Sequence, residues 1–314
     1  MFPRPAFIST NGIDMAVYEA GSGPAVILLH GFPEIAFSWR HQLPALAKAG
    51  FRAIAPDMRG YGRTTVSANV EDYCADNLID DVCGMLDALE LERAIFVGHD
   101  WGALLLWQMA MLRPARIEKL VILNIPHLPR SAEDPIALMR ARFGDDYYIV
   151  HFQDSDEADI AFASDVRSFI GKVMRRLPIT RERFEAMPPQ YRVVSLLKTL
   201  RSPTPSGSRL LDDAELDYYT AAFERSGFRG AIHWYRNWTR NWLRLEGVSQ
   251  RIDTPTLFIG AVDDVLIAPH HIEAMKPLVS DLTIHMLEDC GHWSQQEKPA
   301  EVNRLIVDWL VQRR

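Results

Sequence analysis

The sequence predicts an α/β protein in which a doubly wound, mostly parallel central sheet is flanked by helices and interrupted by an inserted helical cap. Three observations point there. Short continuous apolar runs, AVILL (25–29), RAIAP (52–56), AIFVG (94–98) and KLVILN (119–124), recur between glycine or polar boundaries, as strands covered on both faces do. Amphipathic helical patterns lie between those runs. The alternation then returns after a long gap, with TLFIG (256–260) and LTIHML (282–287).

Taken in order, Ile13, Met15 and Val17 alternate with other residues after the turn pair Asn11-Gly12, which predicts a hairpin leading into an antiparallel edge strand. The segment SWRHQLPALAKAG predicts a helix closing at Gly50. Residues 77–91 place Leu78, Val82, Met85, Leu86 and Leu89 on one helical face. Late in the chain a helix is expected to open near Pro269, and the last helix carries Val302, Leu305, Ile306, Trp309 and Leu310. The stretch 126–245 shows no comparable strand and reads as the helical cap, with SPTPSGS (202–208) as a flexible connection within it. Residues 1–125 and 246–314 then form the core.

The chain has 314 residues, 48% hydrophobic and 24% charged, enough for a large core plus an insertion. Its formal charge of −7 argues against nucleic acid or an anionic membrane surface as the main partner, since both reward clustered Lys and Arg. A small uncharged ligand fits better. The N-terminal MFPRPAFISTNG lacks the apolar run of a signal peptide and no later stretch suits a bilayer, so a soluble, cytoplasmic protein without a membrane span is expected. Oligomeric state, including a homo-oligomer, is left open. The cysteines Cys74, Cys83 and Cys290 are odd in number and lack metal-ligand spacing, which disfavours a disulfide framework. Cys290 stands near His292 and so competes as a nucleophile, but a small buried filler is the better reading. His270, His271 and His285 belong to nothing like H-E-x-x-H, and no metal site is expected.

The chemistry concentrates in FVGHDWGA (96–103), which has the outline of G-x-S-x-G with Asp100 in the serine's place. Gly98, Gly102 and Ala103 supply the small neighbours a tight strand-to-helix turn needs, and the helix that follows favours an ionised carboxylate at its start. A helix-capping aspartate is the competing reading. HGFPE (30–34) follows the run AVILL, where a loop can lend a second backbone N–H, so the amides of Phe32 and Trp101 are the expected oxyanion hole. His30 reads better as a hydrogen-bonded loop anchor than as a catalyst. Near the C-terminus, AVDD and EDCGHW both fall at the carboxyl ends of strands, giving Asp264 as acid and His292 as base, with Asp263 a rival by one position. For His292 the alternative is a satisfied surface imidazole.

Together FVGHDWGA, HGFPE, DMRGYGRT and EDCGHWSQQEKPAEVN resemble the epoxide hydrolases of the α/β-hydrolase superfamily. YIVHFQ (148–153) and GFRGAIHWYRN (227–237) resemble the segments bearing that family's two cap tyrosines, which the resemblance assigns to Tyr148 and Tyr235; Tyr147 is the adjacent competitor. The likeness thins between 154 and 224 and departs at Arg63-Thr64, where a serine is usual shortly after. It implies conversion of a small apolar epoxide and water to a vicinal diol, without a cofactor, through an ester on Asp100 that His292 and Asp264 hydrolyse. Trp234, Trp238 and Trp242 recur at helical spacing and are expected to pack the cap on the core.

Two rivals remain. Haloalkane or haloacid dehalogenases share the aspartate and histidine, and Trp101 suits a departing halide, but a halide needs no proton donor and the paired tyrosines then have no task. The fluoroacetate type resembles HGFP but typically carries arginine after the nucleophile. A catalytically silent binding protein of the same fold would be expected to lack a member of the triad, and none is missing. Asp100 itself disfavours a serine-type esterase.

Overall fold

Strands β1 (Ala6–Thr10), β2 (Ile13–Ala20), β3 (Ala25–Leu29), β4 (Arg52–Pro56), β5 (Ala94–His99) and β6 (Ile117–Leu123) precede the insertion. A two-residue ribbon, β7 (Arg175–Arg176) with β8 (Ser208–Arg209), lies within it, and β9 (Thr256–Ala261) and β10 (Leu282–Leu287) follow. These come from a computed structural model that describes residues 2–188 and 191–313. The main sheet has eight strands in the order β1-β2-β4-β3-β5-β6-β9-β10. Within this sheet, among the described residues, only the pairings β1–β2 and β2–β4 are antiparallel, and the separate ribbon β7–β8 is antiparallel too. Asn11 (φ 43°) and Gly12 (φ 77°) turn the first hairpin in the left-handed region that such a tight connection demands.

Every residue of β3, β5 and β9 is buried, which is why these strands read as unbroken apolar runs. Edge strand β10 is only partly covered, and its sequence is correspondingly mixed. Successive side chains take opposite faces. Ile27 and Leu29 join one apolar cluster, whereas Val26 and Leu28 join the other with Leu305 and Trp309. The first cluster runs on without a break into Phe152, Phe162 and Tyr235 of the insertion, so the helical part is fused to one face of the sheet.

Two helices differ in extent from the sequence reading. Ser38 and Trp39 lie in a separate 3₁₀ turn, Ala36–Trp39, and the α-helix begins at Gln42. Pro44 explains the break: starting there places it in the first turn, where its missing N–H has no intrahelical partner to lose. The next helix spans Ala75–Ala88 rather than 77–91, stopped by Glu90 at φ 59°. Between β6 and β9 the chain is mainly helical, beginning with Pro135–Phe143 and ending with Trp238–Arg244. Ribbon β7–β8 is the addition that sequence periodicity did not reveal.

Register places the site. Leu29 pairs with Gly98, His99 with Leu123, Leu123 with Ile259, and Ala261 with Leu287. The carboxyl ends of five parallel strands therefore finish level, and the loops bearing Phe32, Asp100, Asn124, Asp264 and His292 leave from one edge.

Candidate active site

Asp100 occupies φ 50°, ψ −118° between β5 and the helix Trp101–Leu112. A non-glycine residue in that region costs about 1–3 kcal/mol, and the tight packing around it holds the strain. A Cβ on Gly102 would lie 2.1 Å from the Leu29 carbonyl oxygen, and one on Gly31 would lie 2.3 Å from Asp100 Oδ1. Both glycines are thus required by close approach. Asp100 stands at the N-cap position, yet its side chain makes no capping hydrogen bond. Instead Oδ1 accepts the Phe32 N–H at 2.8 Å, and Oδ2 lies 3.6 Å from His292 Nε2. The capping reading is therefore replaced by a carboxylate turned into the cleft. Trp101, whose amide is the other expected oxyanion donor, opens the helix directly after Asp100.

His292 Nδ1 bonds Asp264 Oδ2 at 2.9 Å. Asn124, itself at φ 67°, donates to the same oxygen at 2.8 Å, and the Leu266 N–H reaches Asp264 Oδ1 at 3.0 Å. Asp263 faces away and accepts the backbone N–H of Arg181 at 3.1 Å, which separates the two rival acids. Burial alone would raise the carboxyl pKa of Asp264, but the charge and hydrogen bond of His292, with Asn124 and Leu266, bring it below the usual value. Asp100 behaves alike: burial opposes ionisation, and His292, His99 and the Phe32 N–H outweigh it. Burial would lower His292, yet Asp264 and Asp100 hold it well above an ordinary histidine.

Over this cluster lie Tyr148 and Tyr235, with ring centroids 5.7 Å apart and nearly perpendicular. Tyr235 packs edge-on to Phe32 at 5.5 Å and to Trp101 at 4.9 Å. Tyr147 lies instead against Phe143 at 4.7 Å and the back of Tyr148 at 5.1 Å, one ring further from Tyr235. Burial first, then neighbouring phenols and the Asp100 charge, push both Tyr148 and Tyr235 well above the usual phenol range, so each carries its proton at neutral pH. Gln153, not singled out by the sequence, donates to the Ile149 carbonyl at 2.8 Å and the Tyr235 carbonyl at 3.0 Å, tying together the two helices that bear the tyrosines. Trp234 packs the insertion on the core, donating to the Arg59 carbonyl at 3.1 Å. Trp238 likewise packs edge-on to Trp101 of the core at 5.0 Å, and together with Trp242 it also lines a cavity of about 430 Å³ that touches Trp101, Leu104, Met139 and Ile267.

A buried network beneath the nucleophile escaped the sequence reading. Glu34 Oε2 accepts the Gly31 N–H at 3.1 Å and meets His99 Nδ1 at 2.8 Å, while Oε1 takes Gln295 at 2.7 Å and Gln296 at 2.9 Å. His99 Nε2 in turn faces the His292 carbonyl at 2.8 Å. Each ring nitrogen of His99 faces one oxygen acceptor. One carboxylate thus fixes the loop of Phe32, the strand end before Asp100 and the loop of His292. Glu34→Ala is expected to cost about 3–5 kcal/mol of stability, because it strands a buried partner; the shift of the urea midpoint with unchanged slope measures it. His30 is an anchor, as expected: Nε2 accepts the Met58 N–H at 3.0 Å, Nδ1 bonds the Gly31 carbonyl at 2.9 Å, and burial lowers its pKa. Cys290 is fully buried in the apolar cluster under the sheet, where burial raises its thiol far above the ordinary range, which suits a filler and not a nucleophile.

A family model described as alpha/beta hydrolase fold matches residues 24–299. The chain is 37% identical to epoxide hydrolase A of Mycobacterium tuberculosis, covering 98% of both chains. It is 36% identical to the bifunctional epoxide hydrolase 2 of Sus scrofa, over 95% of this chain but only 53% of that longer protein. Among solved structures, epoxide hydrolase A from Mycobacterium thermoresistibile superposes with a TM-score of 0.88 at 36% identity, covering 98% of each chain. An epoxide hydrolase from Vigna radiata gives 0.87 at 32% identity, covering 98% of this chain and 97% of that one. With strand order, insertion and likeness in agreement over nearly its full length, the chain belongs to the alpha/beta hydrolase fold family and, within it, to the epoxide hydrolases.

Proposed function

We propose that the protein hydrolyses an apolar epoxide to its vicinal diol through a covalent ester on Asp100, with residues 126–245 acting as the cap over the site. The observation that carries this reading is the division of labour on Asp100: Phe32 N–H holds Oδ1, and Oδ2 remains facing the cleft beside His292. Oδ2 attacks a saturated ring carbon, the strained C–O bond breaks, and the departing oxygen takes a proton or strong hydrogen bonds from Tyr148 and Tyr235. Neutral phenols suit this step because they donate without the hydration of an ammonium. Carboxylate also explains why serine is absent: attack by a hydroxyl would leave an ether that water cannot cleave.

In the second step His292, oriented by Asp264, removes a proton from water, and the water oxygen bonds to Cγ of the ester. Oδ1 becomes the oxyanion, stabilised by the amides of Phe32 and Trp101; each such donor is worth about 3 kcal/mol in comparable sites. The ester C–O bond then breaks and the second hydroxyl of the diol takes up a proton. No redox change occurs, and neither a cofactor nor a metal ion enters the scheme. The cavity of about 430 Å³ is not lined by Asp100, His292, Tyr148 or Tyr235, but it reaches Trp101 next to the nucleophile, and its apolar walls there support an apolar substituent on the epoxide.

Aryl or alkyl oxides are expected to yield diol while haloalkanes yield no halide; the reverse result would assign a dehalogenase. Tyr235→Phe is expected to slow ring opening on the order of 10²-fold and ester hydrolysis far less. Rapid-quench mass spectrometry of the Asp100 peptide separates the two rates.

A further inference from the structure

We propose that Arg181, which belongs to the insertion, is a positioning residue for ester hydrolysis: it sets the loop that presents Asp264 to His292. This rests on the two-step reading above. After β9 the chain turns through 262–267 without regular structure, and three of its carbonyls converge on one guanidinium. Arg181 Nε donates to Val262 O at 3.1 Å, and a terminal nitrogen donates to the carbonyls of both Asp264 and Ile267. The backbone N–H of Arg181 holds the Asp263 carboxylate at 3.1 Å, and its other terminal nitrogen meets Glu185 at 3.3 Å.

Three carbonyl dipoles aimed at one point repel one another unless donors stand between them, and the planar guanidinium supplies several in a fixed fork. The loop's own closures are few, with Asp264 N–H to Ala261 O at 3.3 Å, Leu266 N–H to Asp264 Oδ1 at 3.0 Å and Ile267 N–H to Asp264 O at 3.1 Å. On the core side Asp263 N–H binds Cys290 O at 3.0 Å, which links the acid loop to the loop of His292. On the other side the clamp is Arg181. The same stretch reaches the histidine loop as well: Arg176 Nε lies 3.7 Å from Glu297, whose carboxylate accepts the N–H groups of Gly291 and Trp293 on either side of His292.

Attack by Asp100 needs the strand-to-helix turn that carries it and the two tyrosines, whereas the hydrogen bonds of Arg181 go to Val262, Asp263, Asp264, Ile267 and Glu185. Ester hydrolysis needs His292 Nδ1 to remain on Asp264 Oδ2, and a displacement of about 1 Å in the acid loop is enough to cost on the order of 10²-fold. Loss of the guanidinium should therefore separate the two steps.

The test is single-turnover rapid quench of the full chain with an aryl epoxide, weighing the Asp100 peptide over time in Arg181→Met and Arg181→Lys. For Arg181→Met, ester decay is expected to slow on the order of 10²-fold while ester formation stays within about threefold of wild type. Arg181→Lys, which keeps a charged donor, is expected to recover part of the decay rate. An unchanged ratio of decay to formation in Arg181→Met, with or without a lower melting temperature, overturns the proposal. Should that variant not fold, the same ratio in Arg181→Lys decides. Absence of any ester in the wild type is a distinct result, since it removes the two-step reading itself.

Discussion

Asp100→Ala is expected to abolish diol formation, with a loss on the order of 10⁴-fold or more, as found when a covalent nucleophile is removed from a site that acts as a unit. Cys290 is sealed in the core, Glu34 is held by Gly31, His99, Gln295 and Gln296, and Asp264 is committed to His292, so none of them can take its place. The loss should not come from unfolding. The Asp100 side chain caps nothing, but it accepts the Phe32 N–H and faces His292, so its removal is expected to lower the melting temperature without unfolding the chain, and the assay is run where both proteins are folded. The positive companion measurement is one catalytic cycle of wild type in heavy-oxygen water. Label should enter the Asp100 carboxylate, because the water oxygen attacks Cγ, while the first diol carries an unlabelled oxygen from the enzyme. Normal diol production by Asp100→Ala would falsify the assignment.

Much of this was legible in the sequence, for identifiable reasons. Strands β3, β5 and β9 are buried on both faces, so their composition alone announces them. The strand-to-helix turn was legible because Gly98 and Gly102 are forced by backbone contacts that leave no room for a Cβ. Choices between neighbours were not. Asp263 and Asp264 share one loop, and only the tertiary partners, Arg181 for one and His292 for the other, tell them apart. Tyr147 and Tyr148 differ by about 100° around a helix start, and which phenol meets Tyr235 depends on how two distant segments pack.

The supporting residues were the least visible. Glu34 gathers Gly31, His99, Gln295 and Gln296 from three separated segments, so no local pattern marks it. Asn124 acts through long-range bonds to Asp264, Gly291 and Ser294 and Gln153 through one to Tyr235, and ribbon β7–β8 is too short to show any period. These residues share one property: they fix the orientation of groups the sequence did reveal. Strain at Asp100 and the burial of three ionisable groups beside one another persist only because that scaffold over-determines their positions.

Replacing His292 by asparagine is expected to slow ring opening, because the cation that keeps Asp100 ionised is lost, but to slow ester hydrolysis far more and stop the cycle at the ester, with one equivalent of substrate mass on the Asp100 peptide. The reason is electrostatic. In the resting enzyme His292 lies between two carboxylates, and Asp264 and Asp100 together hold its pKa well above that of an ordinary histidine. It is therefore cationic there, unable to act as a base but well suited to keep Asp100 ionised. Esterification removes the Asp100 charge, one of the two causes of that upward shift, so the pKa falls and the imidazolium sheds its proton when a base is first needed. The sign follows: below the pKa of His292 in the ester state the base is protonated and hydrolysis slows, whereas alkylation by ionised Asp100 continues. The fraction of enzyme held as ester during steady turnover should accordingly be largest at low pH and decline as pH rises, and His292→Asn should keep it high throughout, with hydrolysis slower by about 10²–10⁴-fold. Acid quench of wild type and variant across pH, followed by the mass of the Asp100 peptide, measures both. A pH-independent ester fraction in the wild type, or full turnover by the variant without an adduct, would mean that the proton leaves the attacking water by another route.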